Sequence, residues 1–396
     1  MKSTIHYFYS TTKWIPFKFS LFVVLLIACC KSSTGTDSSG SALLAVTEPQ
    51  IDSTVSESLW PNERQTNLDI SSDIEATVRS TYKNGVTARR DAHPKAHGCV
   101  KADFAVNSNL PPELTRGVFV PGKRYKSWIR FSNGSSDPKK PDIEGDGRGM
   151  AIKLTGVPGP KILETEVDAQ TQDFIMINHP VFFISDPVAY RLLIQRVSST
   201  NVLERLAAPL ALGWNGSMIA RAITSKSFSS PLESRYWSMV PYRFGAAPET
   251  NVMKFSAKPC SGSISPIPEN PSPNFLAEKL ATDLNTKDGC FEFLIQLRRN
   301  PKTQPVEDPT IEWKESDAPF VKVATITIPA QVFNSETQTS FCENLSYTPW
   351  HAVAAHRPLG GVNRTRKVVY DRISTVRHQM NNTLNQRTEP NGSEVF

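Results

Sequence analysis

The stretch GGVNRTRKVVYDRISTVRH, residues 360–378, governs how the rest of the chain is read. At about 100° per residue on a helix, Tyr370 sits roughly 40° round from Arg366, and Arg377 roughly 20°. A phenol therefore follows one guanidinium by a turn, and a second guanidinium follows it by two turns. A solvated basic helix carrying a chance tyrosine would give this pattern. So would a phenolate bound to a metal, with its charge held by one arginine and a second anion held by the other. Beside this face Val369, Ile373, Val376 and Met380 recur at i, i+4, i+7 and i+11, so the helix is expected to bury an apolar stripe.

A chain of 396 residues is long enough for one large domain or two average ones. Its 44 basic and 38 acidic side chains leave +6, spread without a long basic run, which argues against a nucleic-acid partner. Thirty prolines and twenty glycines point to many turns and a partly β architecture. At the N-terminus, lysines at 13 and 18 precede the apolar run FSLFVVLLIACC, which is short for a membrane span. Leu26-Ile27-Ala28-Cys29 resembles the lipobox of bacterial lipoproteins. Residues 1–29 are therefore expected to be an export segment, with a lipid anchor to a membrane at Cys29 in a bacterial cell envelope or periplasm. The alternative is an ordinary secretory signal and a secreted protein. Residues 30–60 are expected to form a flexible tether and 61–396 the folded domain. Export makes disulfides possible, and Cys99, Cys260, Cys290 and Cys342 can pair in three ways.

Ser72 with Glu75 three residues on forms a capping box, and Gly85 is a stop, so SSDIEATVRSTYKNG is expected to be a short helix. CVKADFAV, KSWIRFS, GMAIKL and DFIMI are short apolar-rich runs between turn residues and are expected to be strands. Residues 186–226 turn helical, CFEFLIQLRR and FVKVATITI return to strand, and the opening helix closes the order. The fold class is α+β, with a large antiparallel sheet or barrel.

Four further stretches carry chemistry. In RRDAHPKAHG, Arg90, His93 and Lys95 fall in the pattern Arg-x-x-His-x-Lys, with His97 close behind; Pro94 argues against a helix placing both histidines on one face. In WIRFSNGSSD, strand alternation puts Arg130 and Ser132 on one face and Phe131 on the other. GDGRGMAIKL is a turn entering a strand. DFIMINHPVFFISDP offers Asn178, His179, Phe182 and Phe183 to an aromatic pocket.

Together, in this order, these motifs and Arg366-x-x-x-Tyr370 resemble the haem catalase superfamily, and within it the small catalase-related proteins. The resemblance runs from residue 90 to residue 377. It implies a catalase-like antiparallel β-barrel with surrounding helices and a haem pocket between the barrel and the C-terminal helix. It implies haem b, with Tyr370 as the iron ligand and Arg366 holding the phenolate charge. Arg90, Arg130 and Arg377 would hold the porphyrin carboxylates. His93 would move a proton between the two peroxide oxygens, oriented by Ser132. His97 is the rival for that role, but only His93 keeps register with Arg90 and Lys95.

The family's distal asparagine stands three residues before the Pro of its motif, and here that position is Ile177. Asn178, one residue later, is the candidate for the same catalytic role, and on a strand one residue of slip turns a side chain to the opposite face. RYWSMVPYRFG lacks the family's histidine-containing NADPH pattern, so no NADPH is expected. The activity implied is hydroperoxide cleavage, on hydrogen peroxide or lipid hydroperoxides, with an unidentified reductant and one-electron peroxidase turnover exceeding dismutation. The alternatives are a lipid-hydroperoxide enzyme like the catalase-related allene oxide synthases, or a non-catalytic haem-binding envelope protein.

Overall fold

The computed structural model describes residues 50–396 apart from Ser263 and Thr388. The export segment, Cys29 and residues 30–49 of the expected tether lie outside the described residues. Nine strands form among the described residues: β1 (Ala96–Val106), β2 (Arg124–Asn133), β3 (Arg148–Thr155), β4 (Thr171–Ile177), β5 (Tyr236–Trp237), β6 (Tyr242–Phe244), β7 (Asn251–Pro259), β8 (Gly289–Leu297) and β9 (Val321–Ile328). All pair antiparallel in the order β1-β2-β3-β4-β5-β7-β8-β9, and β9 returns to β1. The result is a closed eight-stranded barrel with β6 added beside β7.

Alternation fills the barrel. In β2, Ile129 and Phe131 join the core, where Phe104, Phe174 and Phe293 pack with ring centres 4.8–6.2 Å apart, while Arg130 and Ser132 face outward. Seven helices surround it: α1 (Glu63–Thr81), α2 (Pro187–Ser198), α3 (Val202–Ala207), α4 (Gly213–Thr224), α5 (Phe275–Thr286), α6 (Glu336–Asn344) and α7 (Gly361–Met380). The stripe foreseen on α7 packs on α1, with Ile373 and Val376 against Ile70, Ile74 and Val78.

Two expectations change. The α1 helix starts at Glu63 rather than at Ser72, which is no cap: its hydroxyl donates back to the Leu68 carbonyl at 3.0 Å, as Ser71 does at 2.8 Å, so both serines sit satisfied inside the helix. The tether ends earlier than residue 60. Val55 is buried with Val252, Val306, Trp313 and Leu359, and the Glu57 carboxylate is buried against Arg357 and Arg364. Arg364, on the first turn of α7, also meets Glu63 at 2.6 Å and Glu307 at 3.0 Å, which fixes that end of the helix. The disulfide pairing, left open by the sequence, is Cys99–Cys342, joining β1 to α6, and Cys260–Cys290, joining the end of β7 to β8.

A buried ion cluster ties the C-terminal segment to the barrel. Lys153 meets Asp173 at 2.9 Å and Glu389 at 2.5 Å, and His351 bridges Asp173 at 2.8 Å and Glu166 at 2.6 Å. Glu166, His351 and Glu389 are close enough to share a metal ion, but the Lys153 ammonium already stands among them, 3.0 Å from His351 Nδ1. Burial and the Lys153 charge push the His351 imidazole down; Glu389 and Asp173 outweigh both and raise it from 6.5 to about 9. A raised cation stabilises the fold fully below pH 6.5 and loses that contribution as pH climbs through about 9, a difference of at most about 3 kcal/mol. The melting temperature of the wild type should therefore fall more steeply across that window than that of His351→Gln. Parallel curves for the two proteins would contradict the assignment.

Candidate active site

Between the outer face of the barrel and α7 lies a cavity of about 470 Å³. The barrel supplies its floor as two rows set by register. Ser132 pairs with Gly149 and Gly149 with Ile177; Arg130 pairs with Ala151 and Ala151 with Ile175. Opposite, α7 presents Thr365, Arg366, Val369, Tyr370, Ile373 and Arg377, which helical spacing places on one side. Pro187 and Tyr190 of α2 and Ala220, Ile223 and Thr224 of α4 close another wall.

His93 enters from the turn before β1, in a left-handed conformation with φ of +62°, a strained position that is held by its surroundings. Its Nδ1 is 2.9 Å from Ser132 Oγ, as the outward face of β2 requires. Gly149 makes the room. A Cβ there would come within 2.7 Å of His93 Nδ1 and 2.8 Å of Ser132 Oγ, so the imidazole lies directly on the strand. Burial first, then the charges of Arg130 and Arg366, lower the His93 imidazole to about 4. It is neutral at neutral pH, the state a proton acceptor needs. The other motif residues anchor this turn: Lys95 Nζ meets Asp142 at 2.8 Å, and Arg148 binds Asn133 and the Asp142 carbonyl. His97 stands apart from the cavity, buried 3.8 Å from Asp142 at the bulge in β1.

Across the cavity, Arg366 donates to the Tyr370 hydroxyl through Nε at 3.3 Å and Nη2 at 3.2 Å. Burial disfavours the Arg366 cation, but the phenol oxygens of Tyr370 and Tyr242 outweigh it and raise its pKa. At one rim Arg90, Arg130 and Arg377 converge. Arg90 and Arg130 reach the Glu343 carboxylate at 3.0 and 3.4 Å, Arg377 donates to the Glu343 carbonyl, and Arg130 Nε is buried without a partner.

Asn178 corrects the sequence reading. Its Oδ1 accepts from the Arg148 N–H at 2.8 Å and its side chain does not line the cavity, while Ile177 does. No bulge offsets the one-residue slip, so period-two alternation puts the apolar side chain beside His93. Sequence reasoning missed Glu343, which nothing in its local pattern distinguishes, and Tyr190 and Tyr347 as cavity walls.

The site is thus a closed antiparallel barrel with a histidine–serine pair on its outer face and a tyrosine–arginine pair on the helix that packs over it. The catalase family model matches residues 76–207, which include the Arg90, Arg130, Asp146 and Asn178 motifs but not α7. A catalase-related peroxidase of Mycolicibacterium paratuberculosis is 28% identical over 225 residues, covering 54% of this chain and 67% of that protein. Among solved structures, a fungal catalase aligns with a TM-score of 0.56 at 16% identity, over 81% of this chain and 65% of its own. Catalase A from Saccharomyces cerevisiae gives 0.54 at 17%, over 80% and 65%. The chain thus spans 65% of the length of these catalases, and its likeness to them is one of fold. Residues 76–207 thus match the catalase family, and the fold of the whole described chain is that of the catalases.

Because Asn178 acts on the Arg148 backbone and not in the cavity, Asn178→Ala should lower stability by about 1–3 kcal/mol in chemical denaturation, the cost of a buried unpaired donor. Peroxide turnover per folded molecule should stay within a few-fold of wild type. A large loss of turnover without loss of stability would return Asn178 to the site.

Proposed function

We propose that the chain is a haem b-dependent hydroperoxidase whose one-electron peroxidase turnover exceeds its dismutation of hydrogen peroxide. One observation carries this reading: a single cavity has an arginine-held phenol on one wall and a neutral, serine-bonded histidine on the other. The cavity volume lies within the roughly 300–1,000 Å³ usual for cofactor sites, and the donor set fits haem. Tyr370 would hold the iron, Arg366 would hold the phenolate charge, and Arg90, Arg130 and Arg377 would hold carboxylates, with the free Arg130 Nε as one unfilled donor. When bound, the haem iron supplies a coordination position for a peroxide oxygen.

The remaining chemistry falls to the chain. His93, uncharged, would accept a proton from one peroxide oxygen and return it to the other, which leaves as water or an alcohol, while haem, when bound, would supply the two electrons for O–O cleavage and take up the remaining oxygen. Ser132 fixes the ring on Gly149 for both transfers. Dismutation needs a second peroxide oriented beside that histidine, and the neighbouring position on β4 is the apolar Ile177. This favours oxidation of a separate reductant.

A second reading, an enzyme for lipid hydroperoxides near a membrane, draws on one further feature. The α2–α4 segment that walls the cavity exposes Leu203, Leu210 and Trp214 at 73%, 76% and 83%. Export and a lipid anchor at Cys29, read from the sequence, would place that surface beside bilayer-derived substrates.

The haem-loaded protein should oxidise a phenolic donor faster than it evolves oxygen from hydrogen peroxide; rapid oxygen evolution without donor oxidation would refute the proposal. His93→Ala should slow peroxide cleavage by roughly two to four orders of magnitude with haem retained, and His97→Ala should leave it near wild type. Ile177→Asn should raise oxygen evolution relative to donor oxidation.

A further inference from the structure

The arginine nest at the cavity rim already contains an anion. Arg90 Nη1 lies 3.0 Å from one oxygen of Glu343 and Arg130 Nη2 lies 3.4 Å from the other. Arg377 donates to the carbonyl of the same residue, and Arg90 Nη2 donates to the Leu345 carbonyl at 2.7 Å. Glu343 is near the C-terminal end of α6, next to Cys342, whose disulfide to Cys99 fixes it to the barrel. The carboxylate is therefore held against the nest by covalent structure as well as by charge. Its side chain is 30% exposed and is not among those that line the cavity.

Charge counting gives this arrangement a consequence. Three guanidiniums contact Glu343 and the charge of the exposed Arg89 also acts on it, so at least two positive charges are left over. Burial is the main reason that Arg130 falls to about 10 and Arg377 to about 9, and the neighbouring Arg90 charge adds to it. Two spare charges match a ligand with two carboxylates, and Arg130 Nε is a buried donor still free to meet one. Any such ligand must share Arg90 and Arg130 with Glu343 and bring like charge close to it.

Resting on the haem reading above, we propose that Glu343 is a resident counter-anion of this nest. It keeps the three arginines assembled before haem enters, and it competes with the haem carboxylates for two of those arginines once haem is bound. Glu343 is then a positioning residue that weakens haem retention by charge.

The test crosses two proteins with two ligands. Haem-free wild type and Glu343→Gln, which keeps shape and one acceptor but loses the charge, are titrated with haem and with its dimethyl ester, whose carboxylates are capped. Removing like charge from beside the ligand should tighten haem binding about tenfold in the variant. The ester should bind both proteins equally, which also shows that the variant pocket is intact. Glu343→Asp, which keeps the charge, should bind haem near the wild-type affinity. Equal change for both ligands, no change, or weaker haem binding in Glu343→Gln would overturn the role of Glu343 while leaving the haem reading in place. Failure of the wild type to bind haem at all would overturn both.

Discussion

Arg364 is 2% exposed, and carboxylates from three separate segments surround it: Glu57 from the chain before α1, Glu63 from the first turn of α1, and Glu307 from the loop after β8. A buried cation costs a great deal unless paired, and removing one partner of such a group typically costs about 3–5 kcal/mol. The cage therefore has one strongly preferred geometry, and it fixes the start of α7. From there a helix at about 1.5 Å per residue carries Tyr370 roughly 9 Å along the axis, and Arg377 roughly 10 Å further. The contacts of Ile373 and Val376 with α1 fix the rotation about that axis. The height of the phenol is thus set by an ion cage that does not line the cavity, and its rotation by an apolar seam with α1 that borders it through Ile74 and Ile373.

The opposite wall is fixed by a different constraint. Barrel closure locks the register of β2, β3 and β4, and period-two alternation then decides which side chains face outward. Gly149 between Ser132 and Ile177 leaves a hollow that the His93 ring fills from its left-handed turn. Strain at His93 is sustained by Lys95, Arg148 and their partners, which over-determine the turn. The His93 imidazole and the Tyr370 phenol thus belong to separate rigid frameworks, barrel and helix, and the cavity is the space left between them.

Much of this was legible in the sequence because it follows from periodicity. The strands of the first half of the barrel, the outward Arg130 and Ser132, and the Arg366–Tyr370–Arg377 face obey the periods of 2 and 3.6 and lie where expected. Alternation raised the choice between Ile177 and Asn178 without deciding it: Asn178 stood as the catalytic candidate, and the unbroken β3–β4 register puts Ile177 in the cavity instead. What escaped depended on contacts distant in the chain. β7 carries Lys254 and ends in Pro259, so it does not read as a central strand until its partners are known. The early part of α1 is polar because Glu63 is spent on Arg364, some three hundred residues away. Glu343 has no local signature, since its meaning comes from arginines on three other segments.

Tyr370, held by Arg366, and His93 line one cavity, and on the proposed reading that cavity takes haem. Reconstitution of the haem-free wild type and of Tyr370→Phe with ferric haem, followed by optical spectroscopy, tests it most directly. The wild type should take up haem with a high-spin ferric spectrum, and Tyr370→Phe should show a changed spectrum and faster haem loss. An unchanged spectrum with full haem retention in the variant would contradict the account.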